Sequence, residues 1–294
     1  MTVSNPLRSV LYVPGNKERA MEKVRSLPVD AIIFDLEDAV GSADKEAART
    51  RVCEIVASKG FGSRLLAIRI NEPQSKIGED DLHEVLAAGA DAVVVPKVKT
   101  AQELISLSSK IDRVVRQSGG SDVQIWAMME TPVGVMNVKE IAALAKDDEP
   151  RLAALIMGTN DLIRETRATR SQITPWLMDC VLAAKAFGLP IIDGVYNHFD
   201  DADGLLSECR QARAMGMDGK TLIHPNQIGI CNDSFSPTSE ELREAREIVS
   251  LFEQAENRDA NVLQLKGRMV ERLHYEMALE TLQISQLISS AKES

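Results

Sequence analysis

Eight short apolar runs rich in Val and Ile recur along the 294 residues, and they leave the chain few architectures: SVLYVPG (9–15), AIIFDLED (31–38), LLAIRIN (65–71), AVVVPKV (92–98), QIWAMMET (124–131), AALIMGTND (153–161), LPIIDGVYN (189–197) and KTLIHPN (220–226). Each is short enough to be a strand. Between them lie helix-like segments such as KERAMEKVRSL, DKEAARTRVCEIVASKG, DDLHEVLAAG and TPWLMDCVLAAKAFG, several of them closing on the Gly that commonly stops a helix. Nearly continuous apolar strands alternating with helices imply a parallel sheet covered on both faces. Eight such strands favour an α/β (β/α)8 TIM barrel over an open doubly wound sheet, and VPGNKE lacks the G-x-G-x-x-G turn of the latter.

The spacing predicts a barrel over 1–233 and a C-terminal helical extension over 234–294. The extension opens with Thr238 and Glu241 at capping-box spacing, passes a short apolar piece and Gly267, and ends in a long amphipathic helix. So much apolar surface needs a docking place on its own barrel or on a neighbour's, so a homo-oligomer is expected.

A net charge of −10 argues against a nucleic-acid partner, which needs clustered Lys and Arg over a broad face. No apolar run approaches the roughly 20 residues that span a bilayer, so no membrane partner is expected. Cys53, Cys180, Cys209 and Cys231 are scattered without metal-like spacing. With the start MTVSNPLRSVLYVPG, which lacks a secretory pattern, they point to reduced thiols and a cytoplasmic protein.

Chemistry in such a barrel collects where strands end, and the polar endings here are consistent: Tyr12, Asn16, Asp35 to Asp38, Arg69, Lys97, Glu130, Asn160, Asp161, Asp193 and His224. Glu130 ends an apolar run, and a carboxylate taken out of water needs a cation or several donors. Asp161 closes the next run, and neither acid has an obvious helical salt-bridge partner. Together they could hold Mg2+, with Mn2+ as an alternative occupant, since Mg2+ is usually bound by one or two carboxylates plus water and substrate oxygens. Arg69 interrupts a buried strand, which leaves two roles open: an ion pair with Glu37, or a clamp on a substrate carboxylate. Arg19 and Lys23, four apart in the first helix, are either a solvated face or a site for cofactor phosphates.

These motifs, SVLYVPGNKERAMEK, AIIFDLEDAV, AIRIN, VVVPKV, METPVGVMNVKEI, GTNDL and LIHPNQI, resemble in order and spacing the citrate lyase β-subunit-like family, which includes malyl-CoA and citramalyl-CoA lyases. The resemblance implies a Mg2+-dependent carbon–carbon lyase, trimeric or hexameric, that joins or cleaves an acyl-CoA and a 2-oxo acid such as glyoxylate or pyruvate. It implies that Glu130 and Asp161 bind the metal and that Arg69 holds the oxo acid. Tyr12, Arg19 and Lys23 would meet coenzyme A, and Glu271 would stand where the family places a catalytic Asp supplied by a neighbouring subunit. Other outcomes of the same resemblance are a malyl-CoA thioesterase, an acyl-carrier-dependent citryl lyase subunit, a non-catalytic acyl-CoA-binding subunit and a CoA-independent metal-dependent aldolase. The long tail favours a stand-alone enzyme.

Overall fold

The eight apolar runs form eight strands in the computed structural model, which describes residues 5–118, 123–146, 151–258 and 260–293. They are β1 (Ser9–Pro14), β2 (Ala31–Asp35), β3 (Leu65–Arg69), β4 (Ala92–Val95), β5 (Gln124–Met129), β6 (Leu152–Met157), β7 (Ile191–Asp193) and β8 (Gly219–Leu222). Each pairs in parallel with the next, and β8 returns to β1 through Ser9↔Lys220, Val10↔Thr221 and Leu11↔Leu222. The expected (β/α)8 barrel is therefore closed.

Alternation along the strands sorts the apolar residues into two cores. Val10, Ile33, Ala67, Val94, Met128, Ile156 and Ile192 share one cluster with the fully buried Trp126. This is the barrel interior, and Ala31, Ala67, Ala92 and Ala154 make room there for the indole. The alternate residues, among them Leu11, Ile32, Phe34, Ile68, Val93 and Leu155, belong to a second cluster with helix residues such as Val52, Leu86, Leu104 and Leu177. That layer seats the outer helices, including Lys45–Ala57, Lys76–Ala88, Ala101–Ser118 and Thr174–Phe187.

The strands are shorter than the apolar runs. The sixth stops at Met157, so Asn160 and Asp161 are not strand residues but open the helix Thr159–Thr166. The seventh stops at Asp193. Because Ile192 faces the interior, Asp193 faces the helices, and this corrects its expected place among the converging polar endings. Its fully buried carboxylate accepts from Lys220 Nζ at 2.7 Å and from Arg170 Nη2 at 2.8 Å, while Lys220 also donates to Glu208 at 2.8 Å. Burial alone would raise the Asp193 carboxyl; Lys220 and Arg170 outweigh it and hold the group below its ordinary value. The ends of two helix-like segments, at 119–120 and 147–148, lie outside the described residues.

The chain divides into two compact units, one of them Leu7–Phe235 and the other containing the segment from Ser236 onward. In the second unit the helix Ser239–Glu253 starts with the expected capping box: Thr238 Oγ1 accepts from Glu241 N at 3.2 Å, and Glu241 Oε2 accepts from Thr238 N at 2.6 Å. The apolar piece before the last helix is half of an antiparallel hairpin, β9 (Val262–Leu265) and β10 (Arg268–Glu271). Lys266 and Gly267 both take positive φ, +50° and +80°, which a tight two-residue turn of matching twist requires. The helix Arg272–Glu293 follows, and Ala245, Ile248, Phe252, Val270 and Ala278 form this unit's core. Among the described residues no helix is long and apolar enough to cross a membrane.

Candidate active site

At the ends of β1, β2, β3, β5 and β6 the inward positions turn from apolar to polar. They line a cavity of about 520 Å³ that contains Tyr12, Asp35, Arg69, Glu130, Asn160 and Asp161.

Arg69 continues the inward parity of Leu65 and Ala67, and the barrel register sets Asp35 of β2 beside it. Its Nε and Nη2 donate to Asp35 Oδ1 and Oδ2, both at 2.7 Å, a bidentate fork. Nη1 lies 3.0 Å from Glu37 Oε2 and 4.0 Å from Asp38 Oδ2. The expected pairing with Glu37 exists, but Asp35 takes the fork. Asp35 also accepts the amides of Glu37 and Ala39, which fixes the loop that carries Glu37 and Asp38. The guanidinium carbon sits 5.0 Å from the centre of the Tyr12 ring, whose hydroxyl points at Met128 Sδ at 3.8 Å. Burial drives the Tyr12 phenol well above its ordinary pKa, so it stays neutral.

Glu130 is 1% exposed. Its Oε1 accepts the Lys97 amide at 2.6 Å, and Lys97 holds a positive φ of +52° directly after Pro96. The Lys97 ammonium reaches Glu37 Oε1 at 2.7 Å, so one residue joins the Glu130 carboxylate to the Arg69 network. Burial pushes the Glu130 carboxyl up to about 8; the Lys97 amide and Arg69 oppose that rise, and the Asp161 charge adds to it. Gly158 makes the space: a Cβ there would stand 2.3 Å from Glu130 Cβ and 2.5 Å from Oε2.

Asp161 lies in the first turn of Thr159–Thr166 and lines the same cavity. It does have a helical partner, contrary to expectation: Arg164 Nη2 is 2.6 Å from Oδ1, one turn along the helix. Among the described residues the Lys97 amide is the one hydrogen-bond donor on Glu130, so this carboxylate is under-satisfied where it meets the cavity. A buried carboxylate in that state, with the Asp161 carboxylate lining the same cavity, fits a hard divalent cation. No group of three His, Cys, Asp or Glu side chains gathers among the described residues, so the other ligand positions would fall to water and substrate, the usual arrangement for Mg2+.

Of the remaining expected residues, Tyr12 enters the cavity wall, whereas Arg19 and Lys23 stand exposed on the six-residue helix Glu18–Lys23 and do not line it. Asn160 lines the cavity and exchanges two hydrogen bonds with Asn197, at 3.2 and 2.9 Å. Asn16, Lys97 and His224 do not line it; His224 stacks on Phe199 and accepts the Asn226 amide. Glu271 belongs to the second unit, at the end of β10, where its amide donates to His274 Nδ1 at 2.9 Å. Asp35 as the fork partner, Gly158, Arg164 and Asn197 were not singled out beforehand. In GTNDLIRET the Gly before the acid and the Arg three residues after it were the available signals.

Comparison with known proteins places the chain in a family. The pattern of the HpcH/HpaI aldolase/citrate lyase family matches residues 8–225. A (3S)-malyl-CoA thioesterase of Cereibacter sphaeroides is 43% identical over 291 residues, covering 98% of this chain and 97% of that protein. A mitochondrial citramalyl-CoA lyase of Rattus norvegicus is 33% identical over 277 residues, 90% of this chain and 82% of that one. The CitE protein of Mycobacterium tuberculosis, solved in complex with magnesium, acetoacetate and coenzyme A, superposes with a TM-score of 0.73 at 26% identity, over 96% of this chain and 99% of that one. With a closed barrel, a polar cavity at its strand ends and a family pattern over most of its length, the chain belongs to the HpcH/HpaI aldolase/citrate lyase family of carbon–carbon lyases.

Proposed function

We propose that this enzyme acts on the coenzyme A thioester of a short 2-hydroxy dicarboxylic acid, of the malyl-CoA kind, and hydrolyses it to free CoA and the dicarboxylic acid. One observation carries the reading. The Cereibacter thioesterase is 43% identical over 98% of this chain, a higher identity over a longer span than the 33% over 90% of the citramalyl-CoA lyase.

Glu130 and Asp161 would hold Mg2+, which when bound supplies polarisation of the substrate's oxygens and neutralises developing charge. Asp35 and Glu37 fix Arg69, so its guanidinium orients the substrate carboxylate from an unmoving position. Tyr12 and Met128 give the cavity an apolar wall that limits water beside that guanidinium. Arg19 and Lys23, exposed and without a carboxylate at ion-pair distance among the described residues, suit the phosphates of CoA. Glu271, supplied by a neighbouring copy of the chain as the resemblance implies, would move the proton: from the attacking water in hydrolysis, or to the acyl-CoA α-carbon in carbon–carbon cleavage. The exposed Met269, Leu273 and Met277 of the second unit support a homo-oligomer.

A second reading, reversible cleavage to an acyl-CoA and a 2-oxo acid, is favoured by the likeness to citramalyl-CoA lyase. Mass spectrometry of the CoA species after incubation with malyl-CoA and Mg2+ separates the two. Free CoA and malate without acetyl-CoA are expected for hydrolysis; acetyl-CoA and glyoxylate would assign the lyase. Turnover of free oxo acids alone, with CoA thioesters untouched, would sink both.

A further inference from the structure

Two guanidiniums line the cavity, and their situations differ. Arg69 is 10% exposed and locked in place by Asp35 and Glu37. Arg164 is 68% exposed and holds one carboxylate, Asp161, one turn back on the same helix. Exposed pairs of this spacing are weak, and a long exposed side chain changes rotamer quickly. Asp161 is also half of the candidate cation site. A divalent ion on that carboxylate takes over the negative charge that holds Arg164 and repels the guanidinium.

We infer that Arg164 exchanges Asp161 for the second carboxylate that hydrolysis creates on the ligand, so that the cavity holds the dicarboxylate product. The inference rests on the proposed thioester hydrolysis, whose product carries a new carboxylate where the substrate carried sulfur. The Asn160–Asn197 pair, which also lines the cavity, is neutral and offers Arg164 no anion. Asp38, the exposed acid on the wall, lies 4.0 Å from Arg69 Nη1 and is shared with that residue. A freed Arg164 therefore finds its partner on the ligand, and its planar fork matches a carboxylate.

Calorimetric titration of the full chain tests this without turnover, using (S)-malate against lactate, which has the same 2-hydroxy acid head and no second carboxylate. With Mg2+ present, malate should bind at least about tenfold tighter than lactate, the scale of a hydrogen-bonded charge pair. Arg164→Gln should erase that difference while leaving lactate unchanged, and Arg164→Lys should keep part of it. With no acid present, Arg164→Gln should bind Mg2+ about two- to fivefold tighter, because its competitor for Asp161 is gone. A variant that retains the preference for malate, or that weakens both acids alike, would overturn the inference, as would an unchanged Mg2+ affinity. Wild-type protein that binds neither Mg2+ nor either acid would overturn the proposed function itself.

Discussion

Glu130→Gln should lower Mg2+-dependent turnover by at least about 10³-fold, because a neutral amide cannot anchor the cation whose charge stabilisation is worth several kcal/mol. The same change should also alter stability. In the metal-free protein burial raises the Glu130 carboxyl from its ordinary 4.5 to about 8. Between those two values the unfolded chain has released the proton and the folded chain still holds it. The folded state then binds more protons, so stability falls as pH rises through that window and levels off above it. Gln removes the slope, because it is uncharged in both states and can still accept the Lys97 amide. Thermal melts from about pH 5 to about pH 9 should show wild type losing stability relative to Glu130→Gln, and added Mg2+ should restore it in wild type only. Parallel melting curves with retained turnover would remove Glu130 from the metal site.

The barrel was legible because a parallel strand buried on both faces is written as an unbroken apolar run. The same property hid which polar ending serves the site. Asp35 and Asp193 both close such runs, yet one follows Ile33 and Phe34 into the inward register and the other follows the inward Ile192 to the outside. A three-residue strand within a nine-residue run gives no register from composition alone. Arg69 could be recognised as a buried charge, whereas its fork partner emerges only from the Asp35↔Arg69 pairing of β2 and β3. Treating 153–161 as one strand concealed the Asp161–Arg164 pair, since a spacing of three joins side chains on a helix and not on a strand. The hairpin at β9 and β10 was lost for a related reason. Its strands have four residues each, with Val262 and Met269 exposed, and the Lys-Gly turn signal stood beside a stronger helical pattern.

Gly158→Ala should disable the site from the neighbouring strand end without replacing any charged residue. Gly158 has an ordinary φ of −96°, so alanine meets no backbone strain and the whole effect is contact. The added methyl would stand 2.3 Å from Glu130 Cβ and 2.5 Å from its Oε2. Glu130 cannot yield easily: Oε1 is held by the Lys97 amide at 2.6 Å, and the Gly158 amide is bonded to Met129 O at 3.1 Å, which pins the two chains together just where they would have to part. Relief requires either a strand shift, at about 1–3 kcal/mol of stability, or rotation of the carboxylate away from Asp161. A misplacement of about 1 Å at a reacting centre costs on the order of 10²-fold, so turnover and Mg2+ affinity should fall together even where the fold survives. Gly229→Ala is the matched control, because a Cβ there meets nothing within 4 Å, and it should leave both quantities unchanged. Wild-type Mg2+ affinity and turnover in Gly158→Ala would mean that the working carboxylate lies elsewhere than the space Gly158 keeps open, and the pairing of Glu130 with Asp161 on one cation would fail with it.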